Sequence, residues 1–190
     1  MRTVSMSGSV RPSVGKKDAA QLRNEGLVPC VIYGGNEQIC VAIPETQFKP
    51  VVYTPEVCFI EITVGKNKYL TMLQDIQYHK VKGHILHADF FELKDNRKII
   101  MAVPVSYKGS SLGVLKGGKL VKMLRKLKVQ SFPKDMPEYI EIDLNKLDIG
   151  DMVKVNQLEA KNFVFVENSA TTVCTVRTTR NVVADAPVGK

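Results

Sequence analysis

The sequence lacks a long hydrophobic run, and it lacks an apolar stretch near its start. Its longest uninterrupted apolar run spans residues 99–105, far short of the roughly 20 residues that a membrane-spanning helix needs. This excludes a transmembrane helix. Residues 1–10 contain one basic residue and no apolar core of a secretory signal. We therefore expect a cytoplasmic protein with no membrane partner.

Closely spaced cysteine pairs are also missing. The four cysteines include no Cys-x-x-Cys pair, and each has apolar or β-branched neighbours, as reduced core cysteines usually have: Cys30, Cys40, Cys58 and Cys174. The sequence therefore supports neither a zinc site nor a disulfide framework.

Sequence patterns typical of catalytic or nucleotide-binding sites are few and incomplete. Residues 113–119 have the glycine and lysine spacing of a phosphate-binding loop, but Leu120 stands where a Ser or Thr would hold magnesium. On a strand, His87 and Asp89 would point the same way, as a general base and its orienting carboxylate do, yet no nucleophile motif or ligand triad accompanies them. We expect no enzyme, no cofactor and no small-molecule substrate. A histidine-dependent hydrolase with a pocket around these two residues is the enzymatic alternative.

Acidic residues are outnumbered by basic ones. The chain has 27 Lys and Arg against 19 Asp and Glu, a formal net charge of +8, which points to a polyanionic partner such as nucleic acid or an acidic membrane surface. A solvated basic surface is the alternative. The basic residues cluster twice, first at Arg2, Arg11, Lys16, Lys17 and Arg23, and later at Lys116, Lys119, Lys122, Arg125, Lys126 and Lys128.

The first half of the chain has mostly the period of two that is typical of strands. Residues 56–64 and 69–78 flank a polar turn at 65–68, and residues 30–33 and 39–43 flank a glycine turn at 34–36, so both pairs predict β-hairpins. Residues 84–93 predict a further strand. Residues 17–24 predict a short helix capped by Asp18 and ended by Gly26. A second helix is expected at 44–49, stopped by Pro50.

The second half is also rich in strand patterns. A polar break at 95–98 places the domain boundary near residue 95. Strands are expected at 99–107 and 139–144, and a hairpin at 163–166 and 171–175. Residues 119–129 fit both a helical stripe and an interrupted strand face, and their periodicity slightly favours a helix. We expect domains at 1–94 and 95–180 and a loose tail at 181–190.

Several motifs together strongly resemble a known family. Gly15 and Lys16 precede the short helix with Leu22 and Arg23, followed by GLVPCVIYG at 26–34, QDIQYH at 74–79 and HADF at 87–90. These resemble the family of bacterial large-ribosomal-subunit protein number twenty-five. GVLKGG at 113–118 and PEYIEIDLNKLDIGD at 137–151 resemble the second domain of its two-domain general-stress (CTC) type.

This resemblance implies a mainly β protein, with an N-terminal β-barrel that carries short helices and binds 5S rRNA in the large ribosomal subunit, and a second β-rich domain. It implies strand for residues 119–129. It also implies phosphate contacts from Arg11, Lys16 and Arg23, to which Lys17 adds, and hydrogen bonds near the RNA groove from four further residues: Tyr33, Gln77, His87 and Asp89.

The sequence departs from the family where consecutive arginines usually stand in the short helix, because it has Ala20 and Gln21 there. We therefore expect two fewer phosphate contacts. The expected partners are 5S rRNA and other large-subunit components, and we expect a monomer off the ribosome. The alternative function is a general stress regulatory protein whose C-terminal domain binds a protein partner.

Overall fold

The computed structural model of the protein describes residues 1–159 and 162–179. It is mainly β, as expected, and divides into two compact units. The first contains Met1–Ile99 and Phe132–Lys134, and the second contains Ile100–Ser131 and the described residues from Asp135 onward. The domain limits expected at residues 94 and 180 stay a prediction, and the expected tail at 181–190 lies outside the described residues.

The first unit is a closed six-stranded barrel. Its strands are β1 (Arg2–Val10), β2 (Leu27–Tyr33), β3 (Ile39–Pro44), β4 (Cys58–Val64), β5 (Asn67–Tyr78) and β6 (Ile85–Glu92), in the order β1-β3-β2-β6-β5-β4. The parallel pairing of β1 with β4 closes the ring, and β2 with β6 is also parallel. In this order β1 lies opposite β6 across the barrel.

Side chains that point inward from the strands fill the barrel interior. On β6, for example, Ala88 and Phe90 are fully buried, while His87, Asp89 and Phe91 face outward. The Phe90 ring lies 6.1 Å from the buried ring of Phe48. Burial raises the pKa of the Cys30 thiol, so this cysteine stays protonated and packs as a small apolar residue. The core consists of Met6, Val28, Cys30, Ile32, Val41, Ile43, Phe48, Ile60, Ile62, Val64, Ile85, Ala88 and Phe90.

Both hairpins expected in this half are confirmed. Strands β2 and β3 pair antiparallel, as do β4 and β5. The turn after β2 requires glycine at Gly34, whose φ is +91° and where a Cβ atom would lie 2.6 Å from Cε2 of Phe91.

The short helix is confirmed as α1 (Lys16–Asn24), but its capping differs from the prediction. The N-cap residue is Gly15, and no side chain caps the helix. Asp18 instead lies within the first turn and pairs with Arg11. Gly26, with φ +77°, follows the helix end as expected.

The second helix begins one residue later than expected and does not stop at proline. A 3₁₀ turn at Glu45–Phe48 leads directly into α2 (Lys49–Val52). Pro50 lies in the first turn of α2, where its missing N–H breaks no hydrogen bond of the helix. The expectation that Pro50 ends the helix was therefore wrong.

The second unit contains two sheets and a short helix, α3 (Leu112–Leu115). The four-stranded sheet has the order β10-β7-β9-β12, and the three-stranded sheet has the order β11-β13-β8. The strands are β7 (Ile99–Lys108), β8 (Lys119–Lys122), β9 (Lys126–Ser131), β10 (Ile140–Asp143), β11 (Met152–Lys154), β12 (Val164–Phe165) and β13 (Thr172–Arg177).

Strand was the correct assignment for the ambiguous segment at 119–129. The segment forms β8 and β9, which belong to different sheets, and Leu127 and Val129 are buried on one face of β9. The clean alternation at 139–144 is confirmed, with Ile140, Ile142 and Leu144 buried.

The hairpin predicted at 163–166 and 171–175 was wrong, because β12 pairs with β9 while β13 pairs with β8 and β11. Pairing with distant strands overrode the local turn signal.

The raised pKa of Tyr107 on β7 leads us to expect a loss of stability at alkaline pH. Burial is the main cause that raises the pKa of its phenol from 10.0 to about 12. The unfolded chain therefore releases this proton more readily, so the stabilisation is complete below pH 10.0 and disappears as the pH rises to about 12. We expect the free energy of unfolding to fall more steeply over this interval in the wild type than in Tyr107→Phe. Urea unfolding at successive pH values checks this, and parallel curves would contradict it.

Candidate nucleic-acid interface

Three neighbouring strands, β2, β6 and β5, bring the four predicted groove-contacting residues onto one outer face of the barrel. On β6, His87 and Asp89 point outward because Ala88 and Phe90 point into the core. Gln77 on β5 is the cross-strand partner of His87. Tyr33 on β2 is half-buried at the end of the same face, and its partner on β6 is Phe91. We call this surface the outer β2-β6-β5 face.

His87 and Asp89 lie side by side on β6, with their polar atoms in contact. Nδ1 of His87 lies 2.8 Å from Oδ1 of Asp89, and about a third of each side chain is exposed. The contact with the carboxylate holds the imidazole ring in place on the outer face. The second carboxylate oxygen remains a strong acceptor. The pair therefore presents a carboxylate acceptor in a fixed position, which suits base amino groups and ribose hydroxyls rather than phosphates.

Asp75 also lies on this face, and it was not predicted as a site residue from the sequence. A shift of register between Leu73 and Asp75 places Asp75 directly opposite Asp89. The pKa of the Tyr33 phenol is raised, mainly by burial and further by the charges of Asp89 and Asp75. Tyr33 thus keeps its hydroxyl proton beside two carboxylates. A bulge leaves little trace in the sequence, so no motif indicated this residue.

An aromatic cluster adjoins the carboxylates. The rings of Tyr33 and Phe91 meet edge to face with 5.7 Å between their centroids. The guanidinium carbon of Arg97 lies 4.9 Å from the Phe91 centroid, a cation–π distance. Arg97 was also missed, although its position in a polar break with two basic residues was the available signal. It holds a cation close to the end of the face.

The predicted phosphate-contacting residues of α1 are exposed to solvent. Lys16 and Lys17 occupy the first turn, and their side chains are open to solvent. Near the other end of α1, Nε of Arg23 donates to the carbonyl oxygen of Leu86 on β6, 3.0 Å away. This bond anchors the end of the helix beside the outer β2-β6-β5 face.

Arg11 differs from the other predicted basic residues. Only 7% of its side chain is exposed, and its Nη2 lies 2.6 Å from Oδ2 of Asp18. Its backbone N–H donates to the carbonyl of Cys40. The guanidinium is thus engaged inside the protein, where it ties the end of β1 to the first turn of α1.

This face thus carries exposed polar and acidic side chains, and the short helix α1 beside β2 carries basic ones. Residues 1–159 and 162–179 contain no group of three His, Cys, Asp or Glu side chains placed to bind a metal ion. In the same part of the chain, every helix is too short or too polar to cross a bilayer.

Comparisons with known proteins agree with the resemblance. A family model described as the Ribosomal L25p family matches residues 6–90, and one described as Ribosomal protein TL5, C-terminal domain, matches residues 98–180. The chain is 39% identical over 186 residues to large ribosomal subunit protein bL25 of Amoebophilus asiaticus, covering 98% of this chain and 95% of that one. It is 41% identical over 185 residues to the bL25 of Christiangramia forsetii, with coverage of 96% and 84%.

A third relative, the bL25 of Cytophaga hutchinsonii, is 35% identical over 182 residues and is covered over 95% of its length. The two family models match the two halves of the chain in order, and the relatives match both halves at once. The chain therefore belongs to the family of large ribosomal subunit protein bL25, in its two-domain form, and is a ribosomal protein rather than an enzyme.

Proposed function

We propose that the protein is a structural constituent of the large subunit of the cytoplasmic ribosome, and that its N-terminal barrel binds 5S rRNA. One observation carries the proposal: the fold gathers Tyr33, Gln77, His87 and Asp89 on the outer β2-β6-β5 face. Double-helical RNA exposes 2′-hydroxyls and base edges in a wide, shallow minor groove. A convex barrel face with fixed acceptors fits that surface.

Within this proposal the basic residues of α1 contact phosphates. Lys16, Lys17 and Arg23 are exposed cations on α1, and Arg23 joins the end of this helix to β6, so they set the register of the barrel on the duplex without reading its sequence. We assign Arg11 a positioning role, because its guanidinium is engaged by Asp18. It holds α1 at the angle that presents the two lysines.

The outward polar residues provide the specificity. Asp89 is the most informative of them, since a carboxylate repels phosphate and is useful at an RNA surface only as an acceptor from a base amino group or ribose hydroxyl. His87 is held by Asp89, and Gln77 lies opposite His87 with both donor and acceptor atoms. Tyr33 adds a hydroxyl at the far end of the face.

A salt series tests the proposal directly. The full-length protein is titrated with 5S rRNA and with an unrelated RNA duplex at increasing salt concentrations. We expect tighter binding to 5S rRNA at every salt concentration, because groove contacts add to the phosphate contacts that both RNAs share. Equal affinity for both RNAs would overturn the proposal.

Arginines placed at positions 20 and 21 of α1 measure how much the missing helix charges would contribute to RNA affinity. Both side chains are exposed on α1, so Ala20→Arg with Gln21→Arg should restore two phosphate contacts. We expect the slope of log affinity against log salt for 5S rRNA to steepen by roughly 0.9 per restored contact. The matched control is Thr3→Arg with Ser5→Arg on β1, which adds the same charge on the opposite side of the barrel. Equal slopes for the two double variants would contradict the prediction.

A further inference from the structure

The second unit has a rigid corner where the chain passes from β8 in one sheet to β9 in the other. The backbone N–H groups of Met123 and Leu124 both donate to the carbonyl of Val173, at 2.9 and 3.2 Å. The carbonyl of Leu124 accepts from the Tyr107 hydroxyl at 3.2 Å. The corner is therefore fixed from both sides rather than being a loose connection.

A further backbone bond completes this support. The carbonyl of Arg125 accepts from the N–H of Val105 on β7, 3.0 Å away. The Tyr107 ring also lies beneath Lys122, whose Nζ is 4.5 Å from the ring centroid. The backbone of the corner is thus held by β7 and β13, while its long cationic side chains extend from a fixed base.

The corner has four exposed cations: Lys122, Arg125, Lys126 and Lys128. Lys126 and Lys128 are two residues apart on β9 and project from the same face, because Leu127 between them is buried. We call these four residues the cationic corner.

None of these four cations forms an ion pair with another residue in the described part of the chain. Other lysines of the same unit do: Lys108 pairs with Glu141 at 2.6 Å, and Lys116 pairs with Asp148. The sequence between Asp95 and Asp135 contains no acidic residue at all. The positive charge of the corner is therefore left for an external anion.

We propose that the cationic corner binds the phosphate backbone of an RNA segment, as a second RNA contact independent of the barrel face. A guanidinium can grip a phosphate through two N–H groups, and lysines add point charges that tolerate any sequence. A protein partner would need an apolar centre at the contact. The strongly exposed apolar side chains here are Met123 in the corner, Val164 on β12, the strand that pairs with β9, and Val166 just after β12. Four exposed cations in a stretch of sequence without an acidic residue favour RNA over a protein partner.

The test uses the full-length protein and an RNA duplex with no 5S rRNA sequence. Arg125→Gln with Lys126→Gln removes two cations from the corner. We expect the slope of log affinity against log salt to become shallower by roughly 0.9 for each cation removed. The matched control is Lys108→Gln with Lys146→Gln, which makes the same change in charge elsewhere in the unit, and its slope should stay at the wild-type value.

A footprint on the wild-type protein removes any dependence on the folding of variants. Lysine acetylation is followed by mass spectrometry with and without the duplex. We expect Lys126 and Lys128 to be protected by RNA and Lys146 to react equally in both samples. Unprotected Lys126 and Lys128, or a corner variant with the wild-type slope, would overturn the proposal.

Two further measurements distinguish RNA binding at the cationic corner from the binding of acidic proteins there and from RNA binding at the barrel face. Polyglutamate of matched charge should fail to displace the duplex from Lys126 and Lys128. If polyglutamate displaced the duplex as effectively as a competing RNA does, the site would bind acidic proteins and the RNA proposal would fail. In a His87→Ala, Asp89→Ala background the corner protection should persist. If 5S rRNA preference proved absent while corner protection remained, the barrel proposal alone would fail.

Discussion

The full-length protein carrying His87→Ala and Asp89→Ala is expected to lose its preference for 5S rRNA over an unrelated duplex. Hydrogen bonds to charged groups contribute roughly 1.5–3 kcal/mol each, so losing the Asp89 acceptor alone should weaken specific binding about tenfold to a hundredfold. Affinity for the unrelated duplex should stay nearly constant, because these residues do not contact phosphates in our proposal.

The salt dependence distinguishes this effect from a loss of charge attraction. Removing a carboxylate from an RNA interface should strengthen non-specific binding slightly, and it should leave the slope of log affinity against log salt unchanged. Asp89→Asn is the sharper variant, since it keeps the shape but replaces one acceptor oxygen by a donor amide. We expect it to behave as Asp89→Ala does if the carboxylate accepts from the RNA.

Thr3→Ala with Ser5→Ala provides the control on the opposite strand, β1. It should leave both affinities unchanged. Circular dichroism and thermal unfolding establish that each variant is folded. Equal weakening of binding to both RNAs in the His87 and Asp89 variants would contradict groove recognition and would leave charge as the only basis of binding.

Phe90→Ala is expected to have the largest effect on stability. The side chain is fully buried in the barrel core and packs against Phe48. Truncating a buried phenylalanine costs about 3–5 kcal/mol, a large fraction of the roughly 5–15 kcal/mol that stabilises a typical domain. We therefore expect the barrel to open frequently and to bind 5S rRNA poorly.

The adjacent residue supplies the matched control. Phe91 has the same chemistry, but it lies on the outer face and is only half-buried, against Tyr33 and Arg97. Phe91→Ala should cost markedly less free energy. Hydrogen exchange followed by mass spectrometry measures this on the peptides that cover β2, β4 and β6. A larger loss of protection in Phe91→Ala than in Phe90→Ala would contradict the assigned core.

These two neighbouring residues illustrate what a strand sequence can reveal. The period of two predicts that residues 84–93 form a strand with two distinct faces and that His87 and Asp89 share one of them. The hairpins around Gly34 and Gly65 followed from turn residues between alternating runs. Four residues of the outer β2-β6-β5 face could be predicted because they lie in short motifs that resemble those of the family: Tyr33, Gln77, His87 and Asp89.

Other parts of the site depended on contacts that local patterns do not describe. Asp75 stands opposite Asp89 because of a bulge in β5, and Arg11 is engaged by Asp18 across a loop. Both look in the sequence like ordinary surface charges. Only the packed barrel shows that Asp75 joins the outer β2-β6-β5 face while Arg11 supports α1 from within.

The sequence by itself determined the family, the mainly β character and the facing of residues within individual strands, because alternation and turn chemistry act over a few residues. The tertiary structure alone decided which strands are neighbours: β2 beside β6, and β12 beside β9 rather than β13. It also decided that residues 119–129 divide between two sheets. The physical reason is that strand pairing is set by the burial of whole faces against distant partners, and the sequence period is the same whichever partner is chosen.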